Sequence, residues 1–291
     1  MNSNFIADLT DKTAIITGGA GLIGRVYASA LLQSGSNVII LDKRINKIKL
    51  TELIKKENNG ASINSENLKL IECDITNPQE IKRIFKKMKP YLSNLKILIN
   101  NASLVKQVRN PSDLVSAYKP FLKMNPNDWE EYLSVDITGS LLTIQQVIPY
   151  MKKNNGGAIV NISSTYGILS PDQRLYAYFN KKLSKKEKKL GTTIEKPIGY
   201  SISKSGVLNM TRFLATKFAD DNIRVNTLSR GRSRFPVSRQ PYFPPTEPLW
   251  PSVVMRRSKP VLICLDYQAG RAMCGVDETC SGPFTRRQCK R

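Results

Sequence analysis

The chain has 291 residues, carries 45 lysines and arginines against 23 aspartates and glutamates, and contains no histidine. The lack of histidine excludes Ser-His-Asp hydrolysis, Cys-His proteolysis and histidine-ligated metal sites. The net charge of +22 fits nucleic-acid or anionic-surface binding, but no nucleic-acid motif accompanies it, so we expect only nonspecific, salt-sensitive binding. No apolar run is long enough to cross a membrane and the first residues do not read as a secretory signal, so we expect a soluble cytoplasmic protein.

The first predicted strand, Thr13–Thr17, is apolar and β-branched, and it leads through a glycine-rich turn into a helical stretch. The order strand, glycine turn, helix is the context of a dinucleotide-binding fingerprint. Gly18 would allow the tight turn, Gly21 would let the backbone approach a pyrophosphate, and Gly24 would let helix pack on strand. The free N–H groups of the helix would then face the phosphates.

The second predicted strand, 38–41, ends at Asp42, about 18 residues beyond the glycine turn. An acidic side chain at this place accepts from a ribose 2′-hydroxyl and repels a 2′-phosphate. We therefore expect NAD as the cofactor. Lys43 and Arg44 follow directly and leave NADP possible.

The rest of the body alternates strand and helix patterns. Polar residues close several of the strands, among them Asp42, Asp74, Asn100 and Ser164. Such alternation predicts an α/β fold of one domain, a Rossmann-type doubly wound parallel sheet with its site at the carboxyl ends of the strands. The remaining predicted strands cover residues 68–73, 96–99, 158–162 and 224–228, and the predicted helices cover residues 25–33, 78–88, 128–151 and 200–218.

Tyr200 and Lys204 stand four positions apart, which on a helix is one turn and one face. A tyrosine with an ordinary pKa near 10 transfers protons poorly at neutral pH, and a fixed cation nearby stabilises its phenolate. The pair is therefore a candidate acid/base site, with a solvated helix face as the alternative interpretation.

These motifs, in this order, resemble the short-chain dehydrogenase/reductase family over residues 8–228. The resemblance implies that Tyr200 is the acid/base, that Lys204 holds the nicotinamide ribose and lowers the pKa of Tyr200, and that Ser164 binds the reacting oxygen. It also implies a set of cofactor-binding residues, namely Gly18, Gly21, Leu22, Ile23, Gly24, Asp42, Asp74, Ile75, Asn100, Ala102, Tyr200 and Lys204, and no metal. The matching segments are T-G-G-A-G-L-I-G (17–24), C-D-I-T (73–76), N-N-A-S (100–103), V-N-I-S-S (160–164), Y-S-I-S-K (200–204) and I-R-V-N (223–226).

Three segments, 163–167, 170–174 and 226–229, are similar to the flagellin-modification branch of that family, whose enzymes supply nonulosonic sugars. The similarity implies a small-molecule substrate, either a sugar or a sugar phosphate or nucleotide. Two features depart from the family. Asp136 stands where the family has asparagine and would neutralise part of the field that activates Tyr200, so we count it among the catalytic residues and expect slower turnover. The stretch before Tyr200 carries a basic insertion, 171–197, which either attracts an anionic substrate or is a solvated loop.

The composition changes abruptly after residue 228. Residues 1–228 hold 22 asparagines and 26 lysines, whereas residues 229–291 hold no asparagine, 2 lysines and four of the five cysteines. We therefore divide the chain into a cofactor-binding domain, 1–228, and a poorly ordered tail, 229–291, that is either an out-of-frame product or a divergent extension. In either case the family's last strand and substrate-covering region would be missing or replaced, which puts the family's homo-oligomer in doubt.

Three functions remain open from the sequence. The first is an NAD(P)-dependent oxidoreductase that interconverts a hydroxyl and a carbonyl group on a sugar or sugar derivative. The second is a cofactor-binding pseudoenzyme, because an exposed sheet edge and Asp136 would impair turnover. The third is a basic protein that binds nucleic acid or an anionic surface.

Overall fold

The computed structural model describes residues 8–57, 64–104, 106, 113, 117–185, 188 and 193–230, together with the backbone of two strands between residues 262 and 274. Six parallel strands form the body of the sheet, where β-branched and other aliphatic residues fill the strand interiors. Their bounds are β1 Thr13–Thr17, β2 Asn37–Asp42, β3 Leu68–Glu72, β4 Leu95–Asn100, β5 Gly157–Ser164 and β6 Ile223–Arg230.

The strand order is β3-β2-β1-β4-β5-β6, so the chain reverses its winding direction between β1 and β4. This is the doubly wound order in which ligands bind outside the carboxyl ends of the strands at the reversal point. The register places Thr17 of β1 beside Asn100 of β4, and Asn100 beside Asn161 of β5. The predicted fold class is confirmed, with every parallel strand found within three residues of its expected bounds.

Helices cover both faces of the sheet. Asn77 begins one of them by accepting the backbone N–H groups of Gln79 and Glu80, and Asn125 begins another through a reciprocal capping box with Asp128. The helices are α1 Leu22–Gln33, α2 Lys47–Glu57, α3 Pro78–Met88, α4 Pro126–Leu133, α5 Ser140–Lys153, α6 Ala177–Lys181 and α7 Ile198–Lys217.

The single long helix that the sequence predicts over 128–151 is wrong in one respect. A π-helical segment, Ser134–Gly139, separates α4 from α5. Gly139 lies against Ile75, whose side chain would clash with a Cβ at this position. Single π turns are rare in proteins, and those that occur often lie at functional sites. Here the turn carries the buried residue Asp136.

Two apolar layers lie on the two faces of the sheet. One contains Ile15, Leu98 and Ile159 from the strands, packed against α3 and α5. The other contains Ile16, Ile40 and Ile99, packed against α1 and α2. Alternate residues of one strand thus enter opposite layers, as a sheet covered on both faces requires.

Beyond β6 the sheet continues with two antiparallel strands, β7 Leu262–Asp266 and β8 Arg271–Cys274. β7 pairs with β6 from Thr227 to Arg230. The last strand is therefore replaced rather than missing. Because β7 covers β6, the sheet has no exposed edge at β6, on which the pseudoenzyme hypothesis partly depends. Apart from the end of β6 and these two strands, the tail that was predicted to be poorly ordered lies outside the described residues. The same is true of the region that would cover the substrate. Within the described part of the chain, no helix is long and apolar enough to span a membrane.

Candidate active site

The glycine turn between β1 and α1 has no room for a side chain at Gly18 or Gly24. Gly18 has φ of +63°, and a Cβ there would lie 2.6 Å from the Cα of Ala102. A Cβ on Gly24 would lie 2.5 Å from the Gly18 carbonyl oxygen. Asn101 secures the turn because its Nδ2 donates to the carbonyl oxygens of Thr17 and Gly18. The sequence analysis missed Asn101, although it lies in the N-N-A-S segment.

The start of α1 is open toward the carboxyl edge of the sheet. Gly21 occupies the N-cap position without a side-chain cap, so the helix leaves its first N–H groups for another acceptor. Gly21 and Leu22 are exposed and Ile23 is half-buried, whereas Gly24 is buried against the strand turn. This arrangement suits the phosphates of a dinucleotide.

Asp42 and Asp74 lie at the ends of two neighbouring strands. The Oδ2 of Asp42 accepts the Ala20 N–H at 3.0 Å, which ties the end of β2 to the glycine turn. Lys43 forms an ion pair with Asp74 at 2.6 Å. Burial raises the pKa of Asp74, but the hydrogen bonds from Lys43 and Thr76 outweigh this and hold it below its usual range. Both carboxylates keep lone pairs for further donors.

Asn100 and Ala102 lie where β1 and β4 diverge. Asn100 is buried and donates through Nδ2 to Asn161 Oδ1 at 2.8 Å, while its own Oδ1 has no partner among the described residues. The Ala102 N–H donates to Thr17 Oγ1 at 3.1 Å. Ile75, which is also buried, packs against the π-helical segment rather than into this cleft.

Ser164 and Tyr200 come together although they are far apart in the chain. Ser164 closes β5, Tyr200 lies in the first turn of α7, and the Ser164 hydroxyl comes near enough to the Tyr200 phenol to act on its ionisation. Tyr132 of α4 packs edge-on against Tyr200, with ring centroids 6.3 Å apart. Burial raises the pKa of Tyr200, the neighbouring Ser164 lowers it, and Asp136 raises it further. The net rise is opposite to the lowering that the Tyr200–Lys204 spacing predicts.

Burial is the largest cause of that difference, and the pairing of Lys204 with Asp136 acts in the same direction. Its buried ammonium donates to the Ile162 carbonyl oxygen at 3.0 Å and lies 3.5 Å from Asp136 Oδ2. Asp136 also accepts the Ser203 hydroxyl at 2.6 Å. Burial lowers the pKa of Lys204, and Asp136 opposes this. Asp136 therefore lies where its negative charge offsets part of the positive charge that Lys204 presents near Tyr200.

Lys196 is a second cation at this site, which the sequence analysis did not identify. Its Nζ lies 4.0 Å from the ring centroid of Tyr200, nearer than the 5.9 Å of Lys204. The rings of Tyr118 and Tyr166 lie 5.8 and 6.0 Å away. Its position in the insertion before α7 is the only sequence signal that could have indicated it.

The insertion is folded where it is described. Asn180 and Ile194 bond reciprocally, with Asn180 Nδ2 donating to the Ile194 carbonyl and the Ile194 N–H donating to Asn180 Oδ1. Leu183 and Ile194 are buried together against Tyr118 and Tyr176. Of the two interpretations of 171–197, a wholly solvated loop does not fit these contacts. Part of the lysine-rich run, including Lys186 and Lys189, lies outside the described residues.

A cavity of about 410 Å³ lies beside this site on the outer face of α7. Ile198, Ser201, Ile202 and Ser205 form its wall on the helix, and Lys196 lies at its border. Neither Ser164 nor Tyr200 lines it. We therefore place the reacting cleft at the Ser164–Tyr200 contact and not in this cavity.

The residues present fit a dinucleotide cofactor. The turn brings its backbone close at Gly18 and Gly24, the α1 N-terminus is uncapped, and Asn100 Oδ1 is buried without a partner among the described residues at the same sheet edge. Ile75 was also predicted to bind the cofactor, and its side chain lies against Gly139 of the π-helical segment.

Comparisons with known proteins agree with this geometry. Residues 12–182 match the family model described as short chain dehydrogenase. A 3-oxoacyl-[acyl-carrier-protein] reductase FabG of Thermotoga maritima is 29% identical over 233 residues, which cover 80% of this chain and 78% of the relative. An NAD-dependent glycerol dehydrogenase of Listeria innocua is 26% identical over 222 residues, covering 76% and 70% of the two chains.

Solved structures are also similar in both fold and sequence. Among them is a short chain dehydrogenase from Leptospira borgpetersenii with bound NAD+, at a TM-score of 0.60 and 26% identity. The match covers 80% of this chain and 76% of that chain. The similarity therefore extends over the sheet and the site that lies at its edge.

Proposed function

As a member of the short chain dehydrogenase family, the chain is an NAD(P)-dependent oxidoreductase acting on small molecules, and we propose that it uses NAD to interconvert a hydroxyl and a carbonyl group on a sugar or sugar derivative. The observation on which this proposal rests is the approach of Ser164 and Tyr200 at the sheet edge that also carries the glycine turn. A general acid/base must lie within hydrogen-bond reach of the oxygen that it serves, and a substrate oxygen held by Ser164 would lie beside Tyr200.

Each residue has one task in this mechanism. Ser164 donates to the reacting oxygen and orients it, and Tyr200 gives a proton to that oxygen in reduction or removes it in oxidation. Lys204 supports the Tyr200 phenolate from the next turn of α7. The glycine turn, Asp42, Asp74 and Asn100 would hold the dinucleotide along the sheet edge and Lys204 would hold its nicotinamide ribose, and the bound cofactor would supply or accept the hydride.

Asp42 supports NAD over NADP. Its carboxylate stands at the end of β2, is held by the Ala20 N–H, and would repel the phosphate on a 2′-phosphorylated ribose. Arg44 is exposed beside it and is the residue through which NADP would bind. A sugar used in flagellin or surface-glycan modification is the finer substrate proposal, supported by the segments 163–167, 170–174 and 226–229.

A second candidate is a pseudoenzyme that binds the cofactor without turnover. The contact between Asp136 and Lys204 favours it, because neutralising Lys204 weakens the support of the phenolate. Single-turnover formation of NADH from NAD and candidate sugars separates the two functions. NADH formation establishes the enzyme, and tight cofactor binding with no NADH from any sugar establishes the pseudoenzyme.

The catalytic assignment predicts a large effect of removing the Tyr200 hydroxyl. Tyr200→Phe should lower the rate of NADH formation by about 10²–10⁴-fold, the usual contribution of a general acid/base. Tyr91→Phe is the matched control, because Tyr91 is exposed and lies away from the sheet's carboxyl edge. Equal activity of Tyr200→Phe and wild type, with NADH binding unchanged in a fluorescence titration, contradicts the proposal.

A further inference from the structure

We propose that Lys196 is a positioning residue for Tyr200, whose ammonium supplies at the phenol the positive charge that Asp136 neutralises on Lys204. This inference rests on the proposed function, in which Tyr200 is the proton carrier. It assigns a role to a residue of the insertion that belongs to none of the motifs that identify the site.

The first step is the placement of the two ammonium groups. Lys196 Nζ lies 4.0 Å from the Tyr200 ring centroid and Lys204 Nζ lies 5.9 Å from it. A cation within about 6 Å of an aromatic centroid is attracted to the ring, more strongly where water is excluded. The attraction grows when the phenol loses its proton, because the ring then carries a negative charge.

The second step is the charge balance. Lys204 and Asp136 are both buried and lie 3.5 Å apart, so they act on a third group as a pair with little net charge. Within the described part of the chain, Lys196 has no carboxylate within ion-pair distance. The net positive charge beside Tyr200 is thus provided by Lys196.

The third step is how Lys196 is held. The side chain of Gln173 clamps its backbone, because Oε1 accepts the Lys196 N–H at 2.8 Å and Nε2 donates to the Lys196 carbonyl at 3.1 Å. Pro197 follows directly and is the N-cap residue of α7. The lysine backbone is therefore fixed on both sides, one turn before Tyr200.

Two other charged groups near Lys196, Glu195 and Lys119, are engaged with other partners. Glu195 is turned to other partners, since its Oε2 accepts the Phe121 N–H at 3.0 Å and its Oε1 accepts the Thr193 hydroxyl at 3.2 Å. Lys119, which borders the same cavity, is paired with Asp128 at 2.7 Å.

The titration of Lys196 is consistent with its placement. The pKa of Lys196 is lowered to about 8, because burial and the nearby Lys204 lower it and Asp136 only partly opposes them. The ammonium is therefore mostly protonated at neutral pH and is lost as the pH rises through about 8. The other groups that face Tyr200 are Ser164, Tyr118, Tyr132, Tyr166, Asp136 and Lys204.

The experiment first removes the positive charge of Lys196 and then restores the net positive charge near Tyr200 by removing the negative charge of Asp136. Lys196→Met should raise the pKa of Tyr200. In alcohol oxidation, where Tyr200 must be deprotonated, the acidic limb of the kcat–pH profile should therefore move to higher pH. At neutral pH, kcat should fall by about tenfold with little change in KM. Lys196→Arg keeps the charge and should keep most of the activity. Adding Asp136→Asn to Lys196→Met frees Lys204 and should return kcat and the pH profile toward those of the wild type. Lys185→Met, at an exposed position of the same insertion, is the control.

Direct titration of Tyr200 separates this inference from the proposed function. The ultraviolet absorbance of tyrosinate, taken as the difference between each chain and its Tyr200→Phe variant, reports the ionisation without any substrate. A Tyr200 titration that Lys196→Met leaves unchanged overturns the inference even if the enzyme is active. A rise in KM with an unchanged pH profile also overturns it, because Lys196 would then bind substrate. An upward shift in the Tyr200 titration, reversed by Asp136→Asn, supports the inference even where no sugar is oxidised.

Discussion

Asp136 is the residue whose burial most changes the chemistry expected of this site. Its Oδ2 accepts the Ser203 hydroxyl and faces Lys204, while its Oδ1 has no partner among the described residues. A buried carboxylate is costly unless it is paired and hydrogen-bonded, and here both kinds of partner are provided by α7. The helix that carries Tyr200 therefore also carries Lys204, the counter-charge of Asp136.

Asp42 gives a prediction about cofactor choice. Asp42→Asn keeps an acceptor for the Ala20 N–H but removes the negative charge that would face a 2′-phosphate. A like-charge contact at about 4 Å costs about 1–4 kcal/mol near a protein surface, so the preference for NAD over NADP in kcat/KM should fall at least about fivefold.

Glu72→Gln is the control for this variant. Glu72 lies beside Asp42 in the register of β2 and β3, and its replacement removes one negative charge from the same end of the sheet. Steady-state kinetics with both cofactors measures the ratio. If Asp42→Asn and Glu72→Gln change it equally, Asp42 does not discriminate between the cofactors.

The glycine turn and the π-helical segment are the two elements that shape the site. In the turn, the backbone of Gly18 touches Ala102, so the segment after β4 and the segment after β1 share one surface. In the π-helical segment, the extra residue per turn places Asp136 in the buried row that faces α7. Local irregularity at both places brings chemical groups to positions that a regular helix or strand would not provide.

Gly18→Ala tests the turn. The left-handed φ of +63° and the 2.6 Å approach to the Ala102 Cα both oppose a side chain, so we expect a loss of about 1–3 kcal/mol in the free energy of unfolding and weaker NAD binding. Gly21→Ala is the matched control, since a Cβ there meets only the Gly18 carbonyl oxygen at 3.3 Å. Denaturant unfolding of both variants measures the difference, and equal stability would contradict the structure of the turn.

At the scale of the whole molecule, one continuous sheet joins the cofactor end to the Ser164–Tyr200 end. The strands that carry Asp42, Asn100 and Ser164 belong to the same eight-stranded sheet, which ends in β7 and β8. A ligand that spans these strand ends binds the folded chain and not the unfolded one. Its binding free energy therefore adds to the stability of the entire domain.

This linkage predicts a thermal shift. NAD at about 100 times its Kd should stabilise the fold by about 2.7 kcal/mol, which raises Tm by roughly 5–10 °C for a domain of this size. NADP at the same concentration should give a smaller shift, because Asp42 opposes its phosphate. Differential scanning calorimetry measures both shifts, and a chain that responds equally to ATP, or to no nucleotide, would not have the proposed site.

Much of the fold is predictable from the sequence because strand and helix patterns are local. The bounds of β1 and of α3 agree residue by residue with the predicted segments, since runs of aliphatic residues and the Asn-Pro start of α3 are read directly from the chain. α2 was not predicted, because its buried face rests mainly on Leu50 and Ile54 in a largely polar helix. The π-helical segment was also missed, since its side chains follow the period of an ordinary helix.

The sequence by itself determined the parallel sheet and the glycine turn, because these depend on patterns within one strand, turn or helix. It also indicated Tyr200 and Lys204 through their spacing on one helix, and Ser164 through the family resemblance. Only the tertiary structure decided how the charges around Tyr200 combine. Asp136 lies in the π-helical segment and Lys196 in the insertion, and their approach to α7 results from the packing of separate elements. Periodicity records which face of an element is buried, but the distance between two charged atoms depends on how the elements that carry them are packed together.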